Sequence, residues 1–287
     1  MGQLVSKRHF LLEQWSKSVA EITFAVGTDM FVPTLLAGVK RLVDFDFIMG
    51  FAYSGAQPPL ALGDTLDSER HGVISTDYVA GPFLLDPFYQ LALRGKNCGC
   101  HRLHQIAPDH FRNSEYFNVH YGRTGIGEEV GFFFDLGANL TGVMSLSRWS
   151  QSPPIVPSEF AVLEAIESTI GAFCARHWSN IHGALRNHAK LPDVTEQFGG
   201  SVLSVREREI VAMILQGHST ESIALQLDIS PGTVKIHRKN TYRKLKVSSQ
   251  AELFAAFLNF VTPASRQSAY TLGDMAVRKE IPHNFRK

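Results

Sequence analysis

Three groups of side chains have types and spacings that could do chemistry. The densest lies between Thr233 and Lys246, a run rich in Lys and Arg with no acid in it. Read as a helix, Lys235, Arg238, Lys239, Tyr242 and Lys246 recur at three- and four-residue spacing, with Arg243 and Lys244 beside them. Val234, Thr241 and Leu245 fall on the other side and are expected to pack inward. A basic face of this kind fits the major groove of B-DNA, about 12 Å wide, with the N-terminal part of the helix at the base edges. That geometry assigns Lys235, Ile236 and Lys239 to bases. Thr233, Arg238, Tyr242, Lys244 and Lys246 go to phosphates, which anchor a protein without reading sequence.

The second group is Cys98-Gly99-Cys100-His101-x-x-His104, four thiol and imidazole ligands within seven residues, with Cys174 as a further thiol. Thiolates with imidazoles suit zinc or copper, so a metal- or redox-sensing role is one alternative function. The spacing is not that of a closed structural zinc site. In a strand, Cys98 and Cys100 would face one side and His101 the other.

The third group would line a pocket for a small molecule: Phe51, Tyr53, Tyr78, Phe83, Asp86, Phe88, Tyr89, Phe132, Phe134 and Ser145. Tyr78, Asp86 and Ser145 are its polar anchors. Such a pocket is expected between a sheet and the helices that follow it. Each aromatic also suits an ordinary core, and Asp86-Pro87 also reads as a turn or helix-start signal.

The basic helix needs a frame, and capping chemistry supplies one. Ser204 with Glu207 three residues on is a capping box, followed by the apolar stripe Ile210, Val211, Ile214, Leu215 and the stop Gly217. Ser219 opens a short helix through Leu227, with Ile223, Ala224 and Leu227 inward. Ser230-Pro231 restarts the chain with a capping residue and a proline at the first helical position. Ser249-Gln250-Ala251-Glu252 is a further capping box. In the helix it opens, Phe254, Phe257, Leu258 and Val261 form one apolar stripe, and Leu253, Ala256 and Phe260 a second. One stripe suffices for a small bundle. The surplus is expected to pack on a partner subunit, with the N-terminal region as the other possibility.

With these residues in view, the stretch resembles the LuxR-type DNA-binding domain. The matching positions are Leu203-Ser204-x-Arg206-Glu207-x-Glu209, Gly217-x-Ser219, Ile223-Ala224, Leu227, Ile229-Ser230, Thr233-Val234-Lys235-x-His237, Asn240 and Lys244-Leu245-x-Val247. The resemblance implies a four-helix module whose third helix reads DNA and whose fourth often dimerises. Tyr242 stands where the family usually has an aliphatic residue, and Gln250 where it usually has Arg.

Upstream, helices are expected near His9–Ile22 and Phe31–Val43, a strand over Phe45–Tyr53, and a loop through Asp67. Further helices are expected over Pro82–Leu93 and Glu115–Tyr121. Val130–Leu136 and Leu140–Arg148 read as a hairpin around Gly137-Ala138-Asn139. Ser158 is expected to cap a long helix running to about Arg186. The expected fold class is therefore α+β: an N-terminal α/β sandwich with an antiparallel sheet, resembling GAF, PAS or autoinducer-binding domains, and a C-terminal all-α helix-turn-helix domain. The expected divisions are 1–187 for a ligand-sensing domain, 188–200 for a linker, 201–262 for the DNA-binding domain and 263–287 for a polar tail. Tyr78 followed by Asp86-Pro87 also resembles part of the acyl-homoserine-lactone receptor motif. The Trp expected upstream is missing, with Ser75-Thr76 nearby, which makes a quorum-sensing receptor an alternative.

Composition excludes several classes. The 287 residues carry 28 Lys and Arg against 27 Asp and Glu, so the basic residues are concentrated rather than abundant. Three cysteines without paired spacing argue against a disulfide framework and for a reducing cytoplasm. No apolar run approaches the ~18–20 residues that span a bilayer. No nucleophile elbow, phosphate-cradling glycine loop or HExxH pair appears, so no enzyme and no cofactor is expected. A phosphoacceptor receiver would alternate strand and helix, and this chain shows a hairpin and then one long helix. The expected partners are double-stranded DNA, a small-molecule effector and a second copy of the chain.

Overall fold

The computed structural model describes residues 2–55, 57–95, 98–181 and 197–261. Among them the expected α+β fold is present. The residues fall into two compact units that do not follow the chain in a single cut. One comprises Met1–His71, Leu91–Ile106 and Ile126–Ala189, the other Gly72–Gln90, Ala107–Gly125 and Lys190–Lys287. The region expected as 1–187 thus contributes to both. Residues 188–196 and 263–287, expected as most of the linker and as the tail, lie outside the described residues.

The first unit is built on five antiparallel strands: β1 (Phe47–Tyr53), β2 (Leu60–Asp64), β3 (Gly99–Arg102), β4 (Ile126–Asp135) and β5 (Thr141–Trp149), in the order β2-β1-β5-β4-β3. The β4–β5 hairpin turns through Gly137, Ala138 and Asn139, all with positive φ. Non-glycine residues tolerate that conformation in tight turns, Asn most readily. β2 was expected as loop. It follows Pro58-Pro59 at the sheet edge, and only Leu62 of its five residues is buried.

Helices α1 (Gly2–Ala25), α2 (Phe31–Lys40), α3 (Pro87–Leu93) and α4 (Pro157–His177) accompany the sheet in the chain, and α1, α2 and α4 pack on one of its faces. Its core contains Ile48, Val130, Phe132, Phe134, Met144 and Leu146 from the strands and Leu35, Val39, Leu163 and Ile170 from the helices. The N-cap of α4 lies two residues earlier than expected. Val156 rather than Ser158 is its N-cap, Pro157 takes the first helical position, and the Glu159 carboxylate accepts from the Val156 N–H at 2.9 Å. The buried Arg148 joins β5 to this corner, donating to the Asp44 and Pro153 carbonyls and to Glu159 at 2.9 Å.

Among the described residues, the C-terminal part of the second unit holds four helices: α5 (Val205–Gln216), α6 (Thr220–Gln226), α7 (Pro231–Leu245) and α8 (Gln250–Val261). Each expected cap is made. Ser204, Ser219, Ser230 and Ser249 accept from the N–H groups of Glu207, Ser222, Thr233 and Glu252. The last capping box differs in one bond, since Glu252 reaches back to Ser248 rather than Ser249. Glu207 is buried, accepts from Ser204 N–H, and receives Lys244 Nζ at 2.7 Å. Those bonds hold its carboxyl below the usual carboxylate range, the Lys244 hydrogen bond contributing most.

The segment expected as one helix over Pro82–Leu93, most of it in this unit, is interrupted. Pro82–Leu85 is a 3₁₀ turn, Asp86 is extended with ψ of 127°, and α3 begins at Pro87. A proline disfavours helical backbone at the residue before it, which accounts for the break.

Candidate nucleic-acid interface

α7 presents its side chains in two classes. Val234 and Thr241 are buried and Leu245 is half-buried. Lys235, Ile236 and Lys239 are exposed, and Ile236 is 62% exposed, unusual for a large aliphatic side chain in a folded module. Ser230 and Pro231 fix the entry of the helix, so these three side chains project from its first three turns.

The residues expected on phosphates divide. Arg238 is half-buried and its guanidinium lies 5.2 Å from the centre of the Tyr242 ring. The Tyr242 hydroxyl is enclosed, with no hydrogen-bond partner among the described residues, so it does not point outward as the helical spacing suggested. Lys244 is engaged by Glu207, and this internal ion pair competes with any phosphate. Lys246 lies past the helix end with φ of 57°, exposed and off the helical face. Thr233 closes the cap, its hydroxyl 2.8 Å from that of Ser230.

The candidate ligand residues are not brought together as one group. Phe51 pairs across β1–β5 with Val143, and Val143 pairs across β5–β4 with Phe133. Phe51, Tyr53, Ser145 and Phe133 therefore share one sheet face. Phe132 and Phe134 lie on the opposite face, inside the core with α1, α2 and α4. The run Phe132-Phe133-Phe134 has no polar residue to mark its phase, and a one-residue offset moves every side chain to the other face. The face with Phe51 also carries Glu129 and Ser147, both buried, with the Ser147 hydroxyl donating to Glu129 at 3.3 Å. Sequence reasoning missed both, although each is a polar residue at an inward position of an apolar strand.

Tyr78, Phe83, Asp86 and Tyr89 do cluster, in the second unit. Tyr78 donates to Asp86 Oδ2 at 2.6 Å, and the Phe88 N–H donates to Oδ1 at 2.8 Å. Phe83 packs edge-on against both Tyr78 and Tyr89. Asp86 is only 6% exposed, and burial pushes its pKa up to about 6, the Tyr78 and Phe88 bonds offsetting part of the rise. The carboxylate thus fills the helix-start role that Asp-Pro also signalled. His120, which was not singled out, stacks on Tyr116 with ring centres 5.3 Å apart. Burial, with Arg123 adding, lowers its pKa to about 4.

The Cys/His cluster does not assemble as a metal site: no group of three suitable ligands occurs among the described residues. Cys100 opposes Phe132 in the sheet and packs on the helix-side core, while His101 lies edge-on to Phe133 on the other face. Cys174 is in the same core. Burial pushes the Cys100 and Cys174 thiols well up, with Glu164 and Glu167 adding at Cys100. A thiol held protonated is a poor metal ligand and a poor redox centre. No described helix is long and apolar enough to cross a membrane.

Comparison with known proteins agrees with this geometry. The family of bacterial regulatory proteins, luxR family, matches residues 201–257. A relative in Aeromonas salmonicida, named as an HTH-type transcriptional regulator in the exeN 3′ region, is 34% identical over 189 residues, covering 62% of this chain and 96% of that one. The response regulator protein TmoT of Ectopseudomonas mendocina is 40% identical over 80 residues, 25% of this chain and 36% of that one, so the chain spans about a third of its length. Among solved structures, the LBD domain of VqsR from Pseudomonas aeruginosa superposes with a TM-score of 0.51 at 22% identity, covering 58% of this chain and 96% of that one. That likeness concerns the fold alone. The four capped helices, the basic third helix and the near-complete coverage of a related regulator place this chain in the luxR family of bacterial transcriptional regulators, which bind DNA.

Proposed function

We propose that the chain is a DNA-binding regulator that reads base edges with Lys235, Ile236 and Lys239 and responds to a small molecule. The observation that carries the DNA-reading part is α7 itself. It leaves an aliphatic side chain and two lysines exposed on its first three turns, where a recognition helix meets the major groove. Ile236 suits the methyl group of thymine, and the lysines suit guanine acceptors. Arg238 and Lys246 are the better phosphate candidates, with Thr233 at the helix start. Lys244 and Tyr242 contribute to phosphates only if their internal contacts yield. A two-fold pair of chains would match neighbouring half-sites.

In this reading residues 1–187 sense and residues 201–262 bind DNA, joined through 188–200. The fold shared with the LBD domain of VqsR supports the sensing role. Tyr78, Phe83, Asp86 and Tyr89, and separately Phe51, Tyr53 and Ser145, are the candidate contacts. The quorum-sensing alternative keeps Tyr78 and Asp86 as its matching anchors, bonded to each other at 2.6 Å. The chain acts as a regulator rather than a catalyst, in the compartment that holds the DNA.

A salt series tests the DNA-binding role. Affinity of the full chain for a duplex pool of randomised sequence should fall steeply with salt, and Lys246→Ala should make that slope shallower by about 1. Affinity insensitive to salt would contradict this reading. Native mass spectrometry of gently purified protein addresses the effector: extra small-molecule mass is expected, and its absence in a chain saturated with cell extract would count against sensing.

A further inference from the structure

A cavity of about 220 Å³ lies beside α6 and α7, and all of its lining belongs to the second unit. Ile214 of α5, Ile223 of α6 and Val234 of α7, all buried, give it an apolar floor. Two side chains of opposite charge share the same lining, Glu221 from α6 and Arg238 from α7. Among the described residues they form no ion pair, either with each other or with a third group. Opposite charges that line one hollow without meeting leave a gap that a molecule carrying both charges can close.

Arg238 is placed for such a contact. Its guanidinium rests 5.2 Å from the centre of the Tyr242 ring, which restrains the group without using its N–H edges. Those edges match a carboxylate with two parallel hydrogen bonds. A neighbouring donor is already engaged: the Ser219 N–H donates to the Asp109 carboxylate at 3.0 Å. Holding an anion therefore falls to Arg238, while the His110 and His218 imidazoles also belong to the polar rim. One charge alone fits poorly, since an anion meets Glu221 and a cation meets Arg238. As for size, an apolar cavity of about 150 Å³ admits benzene, so this one has room for roughly nine non-hydrogen atoms.

We propose that this cavity binds a small zwitterion of the α-amino acid class. Its carboxylate sits on Arg238, its ammonium on Glu221, and an apolar side chain on Ile214, Ile223 and Val234. The site is separate from the candidate contacts at Asp86 and at Phe51. Arg238 is also a candidate contact for a DNA phosphate, so an occupied cavity withholds that contact and the amino acid competes with duplex. The competition rests on the reading of the chain as a DNA-binding regulator; the binding site does not.

Calorimetric titration of the full chain tests the site, with L-valine, L-leucine, L-methionine and L-phenylalanine as probes. At least one should bind at one molecule per chain. For leucine, isocaproate lacks the ammonium and isopentylamine lacks the carboxylate. Each should bind about tenfold or more weakly than leucine, the scale of losing a hydrogen bond to a charged group. Glu221→Gln and Arg238→Gln should each weaken the tightest amino acid by a similar factor while melting as the wild type does. No binding by any of the four at millimolar concentration would overturn the proposal. So would inorganic phosphate or isocaproate binding as tightly as leucine, or unaltered affinity in both variants. In a duplex titration with a randomised-sequence pool, the saturating amino acid should lower wild-type affinity, and Glu221→Gln should abolish that response. Duplex affinity indifferent to a bound amino acid would overturn the competition. A chain that takes up the amino acid and holds no duplex would fault the DNA-binding reading instead, because the calorimetry involves no DNA.

Discussion

The recognition helix and the Tyr78–Asp86 pair are assembled by opposite means. α7 is fixed by residues next to it: Ser230 caps it, Pro231 starts it, and Lys246 ends it in a left-handed turn. It then turns Lys235, Ile236 and Lys239 outward, where little else depends on them. The Asp86 carboxylate is turned inward at 6% exposure and held by Tyr78 and by its own helix start. A charge at the first place changes what the protein meets, while a charge at the second changes how stably it folds. Substitutions should therefore separate cleanly, with DNA affinity moving in one case and pH-dependent stability in the other.

The largest effect that could sharpen this contrast is at Asp86. Its folded pKa of about 6 lies above the usual carboxylate value of 3.8, so the folded chain binds that proton more tightly than the unfolded chain. Stability from this group is greatest below about pH 4 and falls as pH rises through about 6, by on the order of 3 kcal/mol in total. Asp86→Asn keeps an acceptor for the Phe88 N–H and carries no charge. Its melting temperature should lose that downward slope between about pH 4 and pH 6, and an unaltered slope would break the comparison from the buried side.

Smaller effects test the exposed side. Lys239→Ala should weaken binding to a preferred duplex by about 1–3 kcal/mol. Its melting temperature should stay within about 1 °C of wild type, because an exposed side chain away from special contacts contributes little to stability. A large loss of stability would mean that Lys239 is structural. Ser230→Ala is the smallest, costing about 1 kcal/mol of stability through the lost cap at Thr233 N–H. It should lower DNA affinity only modestly, by loosening the start of α7.

The same contrast explains what could be read from sequence. The four C-terminal helices were legible because their signals are local: each capping serine lies three residues from the N–H it accepts. The hairpin turn at Gly137-Ala138-Asn139 was legible for the same reason. Features depending on distant residues were not. Asp109 and Ser219 are 110 residues apart, and nothing in either neighbourhood marks the other. The two apolar stripes on α8 were visible, but nothing local marks that Phe254 and Leu258 share a cleft with Pro82, Tyr116 and Val119. Phe132 and Phe134 were grouped with Phe51 because an unbroken phenylalanine run gives no phase. Only the strand register assigns Phe133 to that face. Lys244 looked like a phosphate contact on its helix, and only the tertiary fold reveals Glu207 against it.

The most direct test of the central claim is to enrich duplexes from one randomised pool with the wild-type chain and with Lys239→Ala, and to compare the motifs. A single motif built of two related half-sites is expected for the wild type, with loss of preference at the same base pair in each half-site for Lys239→Ala. An identical motif from both proteins would contradict base reading by α7.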